Sequence, residues 1–294
     1  MSKTRDIKRR IRSVSNTMQL TKAMKMVSAA KMRRATDNIV AARPFAHNMR
    51  DVLRSLAARA NAEAHPLLQI TGTEKVELLV VTGDKGLCGS FNTNINKTAH
   101  NFIKSEQAKG ERVFDLHAVG KRGVEYFRRR DITIHKAWID VLRQVEFATA
   151  KEIARDMMER YVTGELDAIY LVYNEFKSAI SQRPVVERLL PIDPIEPEEG
   201  ETTEDYIYEP GPEALLNTLL RRHVEVQVYT ALLESVAAEH AARMTAMDSA
   251  TRNAGELIDR LTLHMNRVRQ AAITTEILEV VSGAQAVGYG AEGG

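Results

Sequence analysis

The sequence has one cysteine, Cys88, in 294 residues. A single thiol excludes an intramolecular disulfide and any metal site built from several thiolates, and it fits a reducing compartment. Aromatic residues are only 5% of the chain, which disfavours an aromatic-rich β-sandwich and leaves Ala, Leu, Val, Ile and Met to make the core. Long apolar runs are missing. The best, Val76 to Val81, is interrupted by Glu77 and falls far short of the ~20 residues a spanning helix needs. No apolar stretch follows the basic start, so no secretory signal is expected. Glycine is absent before Gly72, Pro44 is the only proline before Pro66, and no proline follows Pro212. Helix breakers are therefore scarce at both ends, where long helices are expected.

The periodicities agree. From Arg5 to about Leu56 a 4-3 spacing selects Ile7, Ile11, Val14, Met18, Thr21, Lys25, Ser28, Met32, Ala35, Ile39, Ala42, Ala46, Met49, Leu53 and Leu56. The polar break at Thr21, Lys25 and Ser28 sits beside a rotated stripe, Leu20, Met24 and Val27, so the buried face is expected to drift there. Pro44 should kink this helix without ending it. Some fifty residues give a rod on the order of 75 Å. A second helix is expected from Pro212, with Leu215, Leu219, Val226, Tyr229, Leu233, Val236, Met247, Ala250, Ala254, Leu257, Leu261, Val268, Ala271 and Leu278 at heptad positions. Lys25, Arg222, His240, Arg243 and His264 fall on the seam, so the two helices should cover each other only in part.

Between the rods the period changes to two. Val76–Thr82, Arg112–Val119 and Asp167–Tyr173 read as strands, with helices around 94–107 and 149–162, which implies βαβ units and a mainly parallel sheet. Gln182–Leu190 is a further edge strand. The expected fold class is α/β, with N- and C-terminal helices as an antiparallel coiled coil and a central Rossmann-like domain. The expected divisions are 1–65 (N-terminal helix), 66–210 (α/β domain, with an acidic connector at 191–205), 211–287 (C-terminal helix) and 288–294 (a glycine-rich, mobile tail).

Net charge is +2, but residues 1–34 hold eleven Lys or Arg against Asp6 alone, while 189–220 hold nine acids and no base. The basic face could gather phosphates through Lys8, Arg9, Arg10 and their neighbours. No aromatic precedes Phe45 to stack on bases, so a solvated face or an acidic protein partner is the better reading, and no nucleic acid is expected. The turn Thr82-Gly-Asp-Lys-Gly-Leu-Cys-Gly-Ser90 lies where α/β folds cradle phosphates, yet its glycines match neither dinucleotide nor P-loop spacing, so it reads as a structural turn. Cys88 has no base signalled nearby. The eight histidines form no H-x-x-x-H pair, and no cofactor or metal is expected.

Three blocks carry a resemblance: Ile11 to Met32 (IRSVSNTMQLTKAMKMVSAAKM), Gly83 to Asn92 (GDKGLCGSFN) and Ile273 to Ala286 (ITTEILEVVSGAQA), with further matches at Tyr206–Pro210 and Leu219–Glu225. They resemble the γ subunits of rotary F-type ATP synthases. The resemblance implies a non-catalytic rotor shaft seated in a ring of α and β subunits, its foot on the membrane c-ring and an ε subunit beside it. Rotation of the c-ring would then be coupled to ATP synthesis or hydrolysis in that ring. It also implies an indirect membrane association, on the cytoplasmic face of a bacterial plasma (inner) membrane. Met24 and Lys25 match the segment facing an acidic lever of a catalytic subunit. Arg243, Arg269, Gln270, Thr274 and Glu276 match ring-engaging positions, and Tyr206 and Glu209 match the c-ring contact. The single Cys88 argues against the cysteine-pair regulation of chloroplast-type relatives. The alternative is a nucleotide-binding α/β protein with coiled-coil arms.

Overall fold

The computed structural model describes residues 2–57, 65–193 and 211–291. The element order is α1 (Ser2–Ala57), β1 (Lys75–Val81), α2 (Phe91–Gln107), β2 (Val113–Val119), α3 (Lys121–Arg128), β3 (Ile134–Trp138), α4 (Phe147–Val162), β4 (Ala168–Phe176), β5 (Gln182–Leu190) and α5 (Pro212–Ala291). The chain divides into two compact units, residues 1–26 with 246–294 and residues 27–245. α1 continues through Pro44 to Ala57. α5 continues to Ala291, so residues 288–291 of the expected tail are helical, as a correction to the end placed at 287.

In the larger unit the five strands run in the order β3-β2-β1-β4-β5. The first four are parallel, and β5 pairs antiparallel with β4 at the edge, in the span expected. Alternation along β1 sorts the two faces. Val76, Leu78 and Val80 pack with Ile95, Ala99 and Ile103 of α2 and Phe127 of α3. Leu79 and Val81 pack with α4, the end of α1 and the first turns of α5, through residues such as Leu53, Ile153, Met157, Leu220 and Val224. α4 buries Ala150, Ile153, Ala154, Met157, Met158 and Tyr161, the i, i+3, i+4 stripe of an amphipathic helix. Each fully buried Ile or Met there stabilises the unit by about 1.5–3 kcal/mol.

Two elements carry no clear sequence signal. β3 is short, alternates partly exposed and exposed positions before Trp138, and includes His135 and Lys136. α3 holds Gly123 in its first turn, a poor helix residue whose presence has a local cause: a Cβ there would stand 2.9 Å from Thr82 Oγ1.

The 4-3 face of α1 is the buried one in both units. Ile7 and Thr21 are buried in the smaller unit, and Ser28, Ala35, Ile39, Met49, Leu53 and Leu56 in the larger. The expected drift onto Leu20, Met24 and Val27 does not occur: Leu20 and Val27 are exposed and Met24 is half-buried. The face holds its course in the smaller unit because α5 supplies polar partners. Thr21 Oγ1 lies 2.8 Å from Thr251 Oγ1, and Lys25 Nζ 2.5 Å from Asp248 Oδ1. A polar seam residue is tolerated once its hydrogen bond is made. The rising numbers on α1 against falling numbers on α5 make the pairing antiparallel. In the larger unit Ala35 and Ile39 pack with Leu233 and Ala237, again small and branched residues at close approach.

Candidate functional site

The coiled coil of the smaller unit carries most of the expected site residues. Lys25 is committed to Asp248, whose carboxyl the Lys25 hydrogen bond holds below its ordinary value. Further along, Arg269 and Glu276 line a groove of about 320 Å³ with Thr4, Arg5, Lys8 and Ile273. Gln270 and Thr274 are exposed one turn apart on α5, and the Thr274 hydroxyl donates back to the Gln270 carbonyl at 3.0 Å. Around them Ile277, Leu278, Val280 and Val281 are exposed, with Val280 at 72%. Together they form an exposed apolar strip on an otherwise charged stretch of helix, the kind of patch at which interaction sites are found.

Arg243 sits in the larger unit and is employed inside the chain. Its guanidinium donates to Glu239 Oε1 at 2.6 Å and to the Gly86 carbonyl at 3.3 Å, and touches His240 Nδ1 at 3.3 Å. It thereby ties the glycine turn to α5. Close approach explains Gly83, where a Cβ would stand 2.9 Å from Glu239 Oε1. The turn closes on itself: the Gly83 N–H donates to Asn92 Oδ1 at 2.8 Å, and Asn92 Nδ2 donates to the Lys85 carbonyl at 3.2 Å. Cys88 is buried beneath it against Phe91 and Ala238, and burial pushes its thiol up, away from reactivity. Tyr206 and Glu209 lie outside the described residues.

A second cluster escaped sequence reasoning because its members come from different elements. On the α4 face of the sheet, fully buried Glu77 pairs with Arg160, which also reaches Asp115 Oδ2 at 3.0 Å. Burial raises the Glu77 carboxyl to about 7, against the pull of Arg160. Beside it, His117 Nε2 is 3.1 Å from Asp156 Oδ2, and His135 Nε2 is 3.7 Å from the same oxygen. Two imidazoles and a carboxylate at this spacing have the outline of a metal site. The details do not fit one. Trp138 Nε1 can only donate, and it donates to His117 Nδ1 at 3.2 Å, so the neutral ring carries its proton on Nε2, where a metal would need a lone pair. Burial lowers His117 to about 4 and keeps it neutral, and Lys136 Nζ already stands 3.6 Å from Asp156 Oδ1. The cluster is an ion-pair and hydrogen-bond network that fixes β1, β2, β3 and α4 together.

The paired terminal helices and the α/β unit are the architecture that the three sequence blocks implied. A family profile described as ATP synthase matches residues 3–287. The ATP synthase gamma chain of Solibacter usitatus is 52% identical over 285 residues, covering 96% of this chain and 98% of the relative. That of Geobacter metallireducens is 50% identical over 287 residues, covering 98% and 99%. A chain in the central stalk and c-ring structure of the Tetrahymena thermophila mitochondrial ATP synthase is 28% identical, with a TM-score of 0.60, covering 79% of this chain and 99% of that one. One in the Euglena gracilis mitochondrial ATP synthase covers 100% of this chain and 97% of its own at a TM-score of 0.66; at 19% identity it speaks for the fold alone. With relatives this similar over nearly their whole length, the chain belongs to the ATP synthase gamma chain family.

Proposed function

We infer that this chain is the central-stalk rotor subunit of an F-type ATP synthase. It performs no chemistry itself and couples rotation of a membrane c-ring to the conformations of the catalytic α and β subunits. The observation that carries the reading is identity of about half over nearly the full length of gamma chains, joined to an exposed apolar strip at Ile277–Val281 that the chain's own helices leave uncovered. A shaft acts by presenting different faces to equivalent sites. Each face favours one conformation of its neighbour, and the difference in contact free energy is what drives the change.

The residues proposed for those contacts are Met24, Lys25, Arg243, Arg269, Gln270, Thr274 and Glu276 toward the α and β subunits, and Tyr206 and Glu209 toward the c-ring. An ε subunit is proposed beside the α/β unit. Arg269 and Gln270 are the strongest of the set, being exposed and free to meet a partner, whereas Arg243 would act by holding the glycine turn in place. Among the described residues no helix is long and apolar enough to cross a membrane. Membrane association is therefore proposed to run through the c-ring, on the cytoplasmic face of a bacterial plasma membrane. The proposed functional divisions remain 1–65 and 211–287 as shaft and 66–210 as foot.

The test is reconstitution with purified α and β subunits. A stable assembly holding one copy of this chain, with ATPase activity that falls in the Arg269→Ala/Gln270→Ala double variant, is the expected result. Failure to assemble, or ATPase activity of this chain alone, would overturn the reading and restore the nucleotide-binding alternative.

A further inference from the structure

In a rotor, torque passes between the sheet of the larger unit and α5, so the two must turn as one body. Within that unit α5 crosses the carboxyl ends of β1 and β4. Ala238 packs with Cys88 and Phe91, which follow β1, and the ring of Phe176, the last residue of β4, packs beside them. Successive residues advance about 100° around a helix, so Ala231, Ser235, Ala238 and Ala242 make one narrow stripe on the side of this contact. Side chains this small bring the backbones close but interlock shallowly, and apolar burial has no direction of its own. Such packing holds α5 near the sheet without fixing its rotation about its own axis.

Directional contacts flank the stripe on both sides. About 70° to one side stands Glu234, whose Oε2 accepts the Phe176 backbone N–H at 3.3 Å. About 70° to the other stands Glu239, which accepts from Arg243 at 2.6 Å, and Arg243 donates in turn to the Gly86 carbonyl at 3.3 Å. One anchor takes the end of β4 and the other the turn after β1, and these two strands are neighbours in the sheet. Rotation of α5 in either sense therefore pulls against one of them. Both partners on the sheet side are backbone groups, which move only with the strand or turn that carries them. Glu234 is a poor choice on packing grounds. Burial raises its carboxyl above the ordinary range, the Phe176 N–H and Arg43 of α1 oppose the rise, and Glu175 of β4 and Glu187 of β5 add to it. A half-buried carboxylate near two other acids costs stability, and residues that break a packing rule in this way point to a task beyond stability.

We propose, resting on the rotor reading, that Glu234 is a positioning residue for torque transfer: through its hydrogen bond to the Phe176 backbone N–H it fixes the rotation of α5 against β4, as the Glu239–Arg243 pair fixes it against the turn after β1.

The experiment uses the chain assembled with its α and β subunits and a rod attached to the α/β unit. ATP-driven rotation is stalled, and the variance of the rod's angle is read; it rises as torsional stiffness falls. Glu234→Ala removes the acceptor, Glu234→Met removes it while keeping the bulk, and Glu234→Gln keeps an acceptor without the charge. Glu225→Ala, which removes an ion pair to Arg222 within α5, is the control for stability lost without an anchor lost. Urea midpoints of the isolated chains, followed at Trp138, give the stability of each. A variance about 1.5-fold or more above wild type is expected in the alanine and methionine variants, because one of two directional anchors is gone, with Glu234→Gln and Glu225→Ala at the wild-type value. A lowered midpoint with unchanged variance in both acceptor-free variants would reduce the bond to a structural one. Equal broadening in Glu234→Gln would assign the effect to charge, and equal broadening in Glu225→Ala to helix stability; each of these overturns the proposal. A wild-type assembly that never rotates would overturn the rotor reading and the proposal with it, whereas the variants fail the proposal alone.

Discussion

Lys25 Nζ lies 2.5 Å from Asp248 Oδ1, so the cation expected to meet an acidic partner already holds an acid of its own coiled coil. Both side chains are more than a third exposed, and the pair is open to exchange and to screening. The Asp248 carboxyl is held below its unfolded value. Its contribution is therefore present above the ordinary carboxylate range and lost as pH falls through the lowered folded value. Asp248→Asn is expected to lower the thermal midpoint slightly at low salt and not at 0.5 M salt, where the Debye length has shrunk to about 4 Å. In a reconstituted assembly Lys25→Gln is expected to reduce ATP-driven ion pumping per ATP hydrolysed, while Asp248→Asn, which releases Lys25, leaves it unchanged or raises it. Equal losses in both variants would assign the function to the pair itself.

The Glu77–Arg160 pair makes a sharper case because it is buried. Glu77 is fully buried and its carboxyl is raised to about 7, above the 4.5 of an unperturbed side chain. With the folded value above the unfolded one, the Glu77 contribution is fully present below about 4.5 and falls away as pH rises through about 7. Arg160→Met removes the cation that restrains this rise and leaves a buried carboxylate alone, at a cost of about 3–5 kcal/mol. The loss should be largest at pH 8 and clearly smaller at pH 5.5, where Glu77 binds a proton instead. Urea unfolding followed by Trp138, the only tryptophan, reads this out from within the sheet. A loss independent of pH would show that Arg160 acts through Asp115, or through Glu165, whose Oε2 accepts from Arg160 Nε at 3.2 Å, and not through Glu77.

What could be read from the sequence followed from period and length. The long helices, three parallel strands and the β5 edge each rest on runs of seven or more residues with one periodicity, and the structure has them. β3 and α3 escaped because their pattern is set by neighbours: His135 and Lys136 face Asp156 on α4, and Gly123 answers to Thr82. The drift expected at Leu20 and Val27 failed for the same reason, since residues on α5 decide whether Thr21 and Lys25 can stay on the seam. The proposed contact positions were taken over from the resemblance as motif residues. The hold of Arg243 on the Gly86 carbonyl was not legible, because it joins positions 157 residues apart.

Thr82 illustrates how the glycine turn is held from below. Its hydroxyl donates to the Val119 carbonyl at 2.8 Å and accepts the Gly123 N–H at 2.8 Å, both buried. Thr82→Val keeps the shape and strands both groups, for an expected loss of about 1–3 kcal/mol. Gly120 has a φ of +86°, and a Cβ there would stand 2.0 Å from the Thr82 carbonyl oxygen. Gly120→Ala is expected to cost more than Thr82→Val, because left-handed strain of about 1–3 kcal/mol adds to a backbone clash that cannot relax cheaply. Urea midpoints of the two variants, again followed at Trp138, give the order.

His117 sets the last expectation, which concerns metal. Its Nε2, His135 Nε2 and Asp156 Oδ2 have metal-like spacing, but the Trp138 hydrogen bond to Nδ1 places the proton on the nitrogen that would have to bind. One equivalent of Co(II) is therefore expected to give no ligand-field absorption with the wild-type chain. Trp138→Phe removes the donor and frees the ring to carry its proton on Nδ1, and Lys136→Gln removes the cation beside Asp156. The double variant is expected to bind Co(II) with a visible band where neither parent does, since an imidazole ligand needs its second nitrogen protonated and an entering cation must not meet an ammonium group. A band from the wild-type chain would show instead that the Trp138 donor does not hold the tautomer, and that the network at Glu77, His117 and Asp156 is open to a cation.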